Sequence, residues 1–187
     1  MEIDVIIPLY KPGKELFTLL DKLGSQSVPV HQVILLNTEE KYFEQLIYGI
    51  RFLETYQNIK IYHVSKREFD HGGTRRMGVK KSSADVFVMM TQDAMPKDDR
   101  LIEKLVEPLQ GEVAVAYARQ LPREDSTPVE SYTREFNYPA SPGSNRQQTW
   151  TAWGSRPFSA PMSVRPIAGR SMRNWAGSSD IRYLMKI

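Results

Sequence analysis

The sequence predicts an α/β protein with a mainly parallel sheet flanked by helices. Two patterns predict this class. Short apolar runs, suited to strands buried on both faces, alternate with longer segments that repeat apolar residues at helical spacing. Such alternation is typical of βαβ units, in which helices connect parallel strands. The 187 residues, 41% of them hydrophobic, are enough for one domain with a core.

Five strands and four helices are predicted in alternating order. The strands are expected at residues 3–9, 32–36, 59–64, 86–90 and 112–118, and the helices at residues 14–23, 42–56, 74–82 and 97–110. The second helix is expected to face inward with Phe43, Leu46, Ile47, Ile50 and Leu53. We expect no membrane span and no signal peptide, and the absence of cysteine fits a cytoplasmic protein.

The fourth predicted strand ends in a polar turn that carries an acidic residue. Its apolar residues 86–90 are followed by Thr91, Gln92 and Asp93, and Pro96 stops strand pairing. Ligands of open α/β sheets bind beyond the carboxyl ends of the strands. Asp93 is therefore a candidate to hold a divalent cation against a diphosphate. The alternative is that Asp93 only caps the turn that follows.

A glycine-bearing loop at residues 65–73 precedes the third helix. Paired Gly72 and Gly73 allow close approach of a ligand to the backbone, and the helix start offers N–H groups to phosphate. Arg75 and Arg76 add positive charge. The alternative is an ordinary loop beside a solvated basic face. The chain has neither a Walker A sequence nor a G-x-G-x-x-G after its first strand, so the usual phosphate-loop and dinucleotide motifs are not supported.

Several motifs, in this order and spacing, resemble the family 2 glycosyltransferases, and most closely the bacterial rhamnosyltransferase-type members. The motifs are DVIIPLYKP, QSVP, a strand that ends in Asn37-Thr38-Glu39, FDHGGTRRMG, VMMTQDAMP, VAVAYARQLP and REFNYP. The resemblance covers residues 4–139, and FDHGGTR with TQDA is its most specific part. It implies the GT-A fold, in which a Rossmann-like nucleotide half, here residues 1–138, precedes an acceptor half.

The resemblance also implies a reaction and its partners. The expected activity is inverting transfer of a sugar, with rhamnose as one candidate, from a dTDP- or UDP-sugar to a saccharide or lipid-linked acceptor. Mg²⁺ or Mn²⁺ is the expected cofactor. The expected role is cell-surface polysaccharide synthesis in the cytoplasm, with a peripheral position at the inner face of the membrane, and no nucleic-acid partner is implied.

Residue by residue, the resemblance assigns a donor site formed by Pro8, Tyr10, Glu39, Asp70, Gly73, Arg75 and Asp93. Pro8 and Tyr10 would flank the base, and Glu39 would approach the base or the ribose. Asp93 would be the metal-binding acid of an Asp-x-Asp-like motif.

Two further residues and two departures complete this assignment. Arg119 and Gln120 would face the sugar or the acceptor. Arg76 stands where Asn is common in the family. The acidic motif reads Gln-Asp-Ala and keeps one carboxylate, so metal affinity is expected to depend on the diphosphate.

The chain changes character near Pro139. From there onward it has seven basic residues, one acid (Asp180), all three tryptophans and five prolines. The family's catalytic base belongs to a Glu-Asp motif that follows a Gly-Gly-Phe turn in the second half, and this tail contains no such motif. We therefore expect residues 139–187 to be an irregular segment and the chain to lack the base.

Back-translation suggests that the tail is an out-of-frame translation of the acceptor half. In the shifted frame, each codon consists of the third base of one codon and the first two bases of the next. The codons of Asn174-Trp175 must then encode Leu, and those of both Trp175-Ala176 and Trp153-Gly154 must encode Gly. Met185-Lys186 must read Glu. These forced residues fall in register with the family's second half.

Two other readings are open. The chain could be a non-catalytic nucleotide-sugar-binding module whose basic, Trp-bearing tail binds an acidic membrane surface or nucleic acid. The tail's prolines and its scattered arginines, which form no amphipathic stripe, disfavour this. A nucleotidyltransferase is less favoured, because no glycine- and lysine-rich loop follows the first strand.

Overall fold

The computed structural model describes residues 1–110, 115–122, 126–137 and 183–186. Six strands form one sheet in the order β3-β2-β1-β4-β6-β5. The strands are β1 (Ile3–Tyr10), β2 (Gln32–Thr38), β3 (Ile59–Val64), β4 (Val86–Met89), β5 (Val115–Tyr117) and β6 (Tyr183–Lys186). The α-helices are α1 (Glu15–Gly24), α2 (Glu40–Ile47), α3 (Phe52–Thr55), α4 (His71–Lys81), α5 (Leu101–Val106) and α6 (Pro128–Asn137), and a 3₁₀ turn (Glu107–Gln110) follows α5. All the strand pairs are parallel, which confirms the predicted fold class.

The central strands are buried on both faces, as their continuous apolar runs predict. In β1, Val5 and Ile7 pack in a core that includes the apolar side of α1, while Ile6 faces the opposite core below α4. All three side chains are fully buried. This double burial holds β1 in the middle of the sheet and fixes where its carboxyl end emerges.

Helix α4 approaches the sheet closely at Gly78. A Cβ atom added there would lie 2.6 Å from Ile6 Cγ2 and 2.8 Å from Leu36 Cδ1. Both neighbours are fully buried core side chains that cannot swing aside. Only a glycine at this position allows α4 to lie against β1 and β2, so Gly78 sets the position of the helix.

We expect Gly78→Ala to lower the free energy of unfolding by about 1–3 kcal/mol, since a methyl group overpacks this contact. Gly24→Ala is the matched control, because a Cβ on Gly24 meets no atom within 4 Å. That control should be neutral or stabilising by up to about 1 kcal/mol. Urea denaturation of the two variants checks this, and equal midpoints would refute the packing argument.

The predicted second helix is wrong beyond residue 47. Helix α2 ends at Ile47, Gly49 adopts a left-handed conformation (φ 74°), and α3 begins again at Phe52. Glycine takes this conformation without steric cost and so allows the break. Phe52 is buried against Phe43, with ring centroids 5.3 Å apart. Ile50 and Leu53, which were expected to face inward, are 47% and 62% exposed.

Other boundaries differ from the predicted ones. Helix α4 starts three residues early, at His71, because the Asp70 carboxylate accepts from the Gly73 N–H and caps it. Helix α5 is shorter than residues 97–110, and β2 continues through Thr38. The prediction included neither α6 nor β6. Residues 112–114 of the fifth predicted strand, and the predicted irregular tail except for 183–186, lie outside the described residues.

A buried carboxylate anchors the amino edge of the sheet. Asp4 is fully buried, and its oxygens accept from Ser82 Oγ at 2.6 Å and contact His31 Nδ1 at 2.8 Å. These contacts join β1, the residue before β2 and the end of α4. The hydrogen bond to Asp4 is the main cause of a raised pKa for His31.

This raised pKa predicts a pH dependence of stability. The folded protein binds the His31 proton more tightly than the unfolded chain, so this stabilisation is complete below the unfolded pKa, near 6.5, and is lost as the pH rises through the folded pKa. We expect the free energy of unfolding to fall as the pH rises from about 6.5 through the raised pKa of His31 in the folded protein. His31→Gln should flatten this slope in urea titrations. An unchanged slope in that variant would show that other groups cause the pH dependence.

Candidate functional site

The carboxyl ends of β1, β2 and β4 meet at one edge of the sheet. Tyr10, the last residue of β1, is in register with Thr38, the last residue of β2. The turn after β4 is joined to Tyr10 by two hydrogen bonds. The Tyr10 N–H donates to Gln92 Oε1 at 2.9 Å, and Gln92 Nε2 donates to the Tyr10 carbonyl at 3.2 Å. This pair places Asp93 directly beside the end of β1.

A cleft of about 530 Å³ lies between this turn and the start of α1. It is lined by Lys11, Pro12, Gly13, Glu15, Leu16, Gln92, Asp93 and Met95. Asp93 is exposed within it. Asp93 thus lies in a cleft beyond the carboxyl end of β4, and its role as a metal ligand stays a prediction. The cleft combines two carboxylates with one ammonium group.

The segment after Asp93 is tied to the end of α1. Gln26 is mostly buried, and its amide donates to the Asp98 carbonyl at 3.1 Å and accepts from the Ile102 N–H at 3.1 Å. Lys22 Nζ donates to the Pro96 carbonyl at 2.8 Å. These bonds hold the turn that bears Asp93 from its far side, so the carboxylate is positioned by both β1 and α1.

Two tyrosines and two lysines cluster beside the cleft. Tyr10 is 41% exposed, and its ring makes an edge contact with Tyr42 of α2, with centroids 5.9 Å apart. Lys11 Nζ lies 5.4 Å from the Tyr10 centroid and 5.2 Å from that of Tyr42. Lys41 Nζ lies 5.1 Å from the Tyr42 centroid. The sequence placed Tyr10 and Lys11 at the same strand end but indicated a role only for Tyr10. It did not indicate Tyr42, because the contact of Tyr42 with both residues depends on how β1 and α2 pack.

Glu39 connects the ends of β2 and β3. Its backbone is left-handed (φ 67°), and its N–H donates to the Val64 carbonyl at 2.9 Å. Its carboxylate accepts from the Lys66 N–H at 2.6 Å and lies 3.7 Å from Lys41 Nζ. Glu39 is therefore at the predicted edge, with its carboxylate already hydrogen-bonded to protein groups.

Two buried polar side chains precede Glu39 within β2. Asn37 and Thr38 are 0% and 2% exposed, and both were expected just beyond the strand. Asn37 Nδ2 donates to the Glu39 carbonyl at 3.1 Å, which supports the left-handed turn. Asn37 Oδ1 and Thr38 Oγ1 have no hydrogen-bond partner. Burying such atoms without a partner costs free energy of folding. Two of them at one strand end therefore mark this edge of the sheet as a candidate functional site.

Asp70, Gly73 and Arg75 form a separate group at the start of α4. The Asp70 carboxylate accepts from the Gly73 N–H, and Arg75 Nη1 donates to the His71 carbonyl at 2.9 Å. Helix α4 starts beyond the carboxyl end of β3, so this group lies at the same edge as the cleft. In the described part of the chain, none of the three lines the cleft of Asp93.

Pro8, Arg119 and Gln120 complete the predicted set. Pro8 is half-buried within β1, in register with Leu36. Arg119 and Gln120 follow β5, and Arg119 is exposed. The Gln120 side chain accepts from Arg134 Nη1 of α6 at 2.8 Å. No sequence pattern predicted this contact, since α6 itself was not predicted.

No ready-made metal cluster occurs in residues 1–110, 115–122 and 126–137, where no three His, Cys, Asp or Glu side chains gather. Asp93 would therefore need ligands from a bound molecule to hold a cation. Of the helices that the structure describes, none is long and apolar enough to cross a membrane.

The chain is similar to known proteins in both sequence and fold. The sequence model of Glycosyl transferase family 2 matches residues 4–168, and the chain belongs to that family. The match continues past Pro139 into the tail.

Two relatives are Salmonella enzymes. The O-antigen chain rhamnosyltransferase RfbN of Salmonella typhimurium strain LT2 is 33% identical over 143 residues, which cover 74% of this chain and 43% of the relative. The O-antigen chain rhamnosyltransferase WbaN of Salmonella anatum is 36% identical over 86 residues, covering 45% and 27%. The matched segments thus cover less than half the length of these relatives.

Solved structures of S. aureus TarS share the fold. Residues 1–349 of TarS superpose with a TM-score of 0.52 at 15% identity, over 68% of this chain and 38% of that one. The complex of the same TarS fragment with UDP-GlcNAc gives a TM-score of 0.50 at 16% identity, over 68% and 37%. At this identity the likeness establishes the GT-A architecture.

Proposed function

We propose that this chain is the donor-binding part of an inverting glycosyltransferase that takes its sugar from a nucleoside-diphosphate donor. Rhamnose is the first candidate sugar, since both Salmonella relatives are O-antigen chain rhamnosyltransferases. The acceptor would be a saccharide or lipid-linked saccharide of a cell-surface polysaccharide, at the cytoplasmic side of the membrane. One observation carries the proposal. An exposed Asp93 shares a cleft with Lys11, and Gln92 hydrogen-bonds to Tyr10 beside it.

The residues of the cleft suit a cation that arrives with its ligand. Mg²⁺ is commonly held by one or two carboxylates together with substrate phosphates and water. Asp93 supplies one such carboxylate, so a diphosphate would provide the other charged ligands. A bound Mg²⁺ or Mn²⁺ would neutralise charge that develops on the leaving diphosphate.

Different residues of the chain would contact different parts of the donor. The exposed face of Tyr10 would stack on the base, with Pro8 and Glu39 beside it. The start of α4, with Asp70, Gly73 and Arg75, would approach the nucleotide with its positive helix end. Arg119 and Gln120 would face the sugar or acceptor.

We further propose that the chain lacks the catalytic base. Inversion requires a carboxylate on the face of the sugar opposite the leaving group, to accept the proton of the attacking hydroxyl. The tail from Pro139 onward has only Asp180 as an acid, in a sequence unlike the family's Glu-Asp motif. An out-of-frame tail explains both the missing base and the basic, proline-rich composition.

Calorimetric titration of the full chain with dTDP and UDP tests the donor proposal. Binding should occur in the presence of Mn²⁺ or Mg²⁺ and weaken by about tenfold or more when the metal is chelated, a difference of about 1.4 kcal/mol. ADP serves as the control nucleotide and should bind more weakly. Absence of binding to all three diphosphates, with and without metal, would contradict the proposal.

A further inference from the structure

Lys11 has a backbone conformation that requires an explanation. Its φ is 48°, in the left-handed region that residues other than Gly, Asn and Asp rarely adopt. Such strain persists when the surroundings fix it, and it concentrates at functional sites. Here the preceding residue, Tyr10, is fixed by Gln92, which bonds to both its N–H and its carbonyl. The position of the Lys11 side chain is thus set by the turn that bears Asp93.

The Lys11 ammonium group lies over two aromatic rings. Its distances to the ring centroids of Tyr10 and Tyr42 are 5.4 and 5.2 Å, within the range of cation–π attraction. Such contacts at exposed sites are weak, whereas a hydrogen bond from an ammonium to a phosphate oxygen is charge-assisted and stronger. Lys11 can therefore leave the rings for a phosphate group without a large loss.

Lys11 also lines the cleft that contains Asp93. An ammonium group and a carboxylate in one cleft are complementary to a diphosphate with a bound cation, because one cation only partly neutralises the diphosphate. Lys81 offers a contrast, because its Nζ lies 4.9 Å from the ring centroid of Tyr62 but the residue does not line the cleft.

We propose that Lys11 is a diphosphate-binding residue, and that Tyr42 positions its ammonium group before the ligand arrives. This inference rests on the proposed donor-binding function and adds to it a residue pair outside the predicted set. When the diphosphate binds, the ammonium group moves from the two rings to a phosphate oxygen. Tyr42 acts through Lys11 and is a positioning residue.

Titration of full-length variants with UDP and dTDP in the presence of Mn²⁺ tests the proposal. Lys11→Met should weaken diphosphate binding by about tenfold, the usual effect of losing one hydrogen bond to a charged group. Lys11→Arg should retain most of the affinity. Lys81→Met, which also removes a lysine that lies over a tyrosine ring, is the matched control and should bind as the wild type does. Tyr42→Leu should weaken binding less than Lys11→Met, and Tyr42→Phe, which keeps the ring, should restore it.

Two further readouts separate a binding role from a structural one. Affinity for uridine and thymidine, which lack phosphate, should be the same in Lys11→Met as in the wild type. The salt dependence of UDP affinity should be smaller in Lys11→Met, because one charge contact is gone. A misfolded variant would lose nucleoside binding as well.

Three outcomes would overturn the proposal. Equal UDP affinity in the wild type and Lys11→Met would remove Lys11 from the site. Equal losses in Lys11→Met and Lys81→Met would reduce the effect to general surface charge. If the wild type binds no nucleoside diphosphate, the donor-binding function fails and the role of Lys11 fails with it. The wild-type titration therefore separates the first two failures from the last.

Discussion

Replacing Asp93 with asparagine is expected to remove most of the metal dependence of nucleoside diphosphate binding. The substitution keeps the shape of the side chain and deletes its negative charge. Carboxylates are preferred ligands of Mg²⁺, and a neutral amide oxygen is a poorer one. The gain in UDP or dTDP affinity on adding Mn²⁺, about tenfold or more in the wild type, should shrink to about threefold or less, which is under about 0.7 kcal/mol.

Asp99→Asn is a charge-matched control for this experiment. Asp99 is exposed six residues further along, and its backbone carbonyl, rather than its side chain, ties it to Ser27. Asp99 does not line the cleft. The control should keep the full metal effect. Equal metal-dependent affinities in the wild type and Asp93→Asn would exclude Asp93 as the metal-binding acid.

Restoring the reading frame near residues 139–146 is expected to give an active glycosyltransferase. On the frameshift proposal the present tail lacks the base, so the chain as it stands should transfer no sugar from a nucleotide sugar to an acceptor. A positioned general base contributes about 10²–10⁴-fold to rate. The corrected, longer chain should turn over dTDP- or UDP-sugar, and release of the nucleoside diphosphate measures this.

The coding nucleotide sequence provides an independent check on this proposal. The shifted frame should stay open through residues 139–187 and read Leu-Gly at 174–176 and Glu at 185–186, which the codons force. The family match in the present frame extends to residue 168, past the proposed frame change at residues 139–146, so the coding sequence is needed to decide between the two. Stop codons in the shifted frame, or sugar transfer by the present chain, would refute the frameshift.

The sheet could be predicted from the sequence because its central strands are buried on both faces. The runs in β1, β2 and β4 are continuous and apolar, and each is followed by polar residues that mark the carboxyl edge. The position of Asp93 follows from that pattern alone. The identity of the ligand depended on the resemblance, since strand-Asp-turn is common in proteins without a bound metal.

The remaining features depend on contacts between distant segments. Gln92 bonds to a residue 82 positions earlier, and no local pattern indicates this. The break at Gly49 was missed because the apolar residues of 42–56 keep helical spacing throughout. In the structure the helix is interrupted, and Phe52 packs on Phe43. The sequence does not distinguish Gly78 from any other helix glycine, because its close contact with Ile6 and Leu36 is visible only in the structure. In each case tertiary packing overrides the local preference.

The charge distribution in the cleft explains why the diphosphate and the metal should bind together. Asp93 and Glu15 leave the cleft with two carboxylates and one lysine. A diphosphate alone would meet repulsion from the carboxylates, and a cation alone would find too few ligands. The cation supplies positive charge and the diphosphate supplies ligand oxygens. The diphosphate should therefore raise the affinity for the cation, and the cation should raise the affinity for the diphosphate by the same factor.

Paramagnetic broadening by Mn²⁺ is the most direct test that the carboxyl edge of the sheet is the donor site. In amide NMR spectra of the full chain, Mn²⁺ with UDP or dTDP should broaden the signals of Lys11 and residues 92–94. The signals of Asp4, His31 and Ser82, at the opposite edge, should persist. Mn²⁺ without the diphosphate should broaden the signals of residues 92–94 far less. Broadening centred on the amino edge, or equally strong without the diphosphate, would contradict this account of the protein.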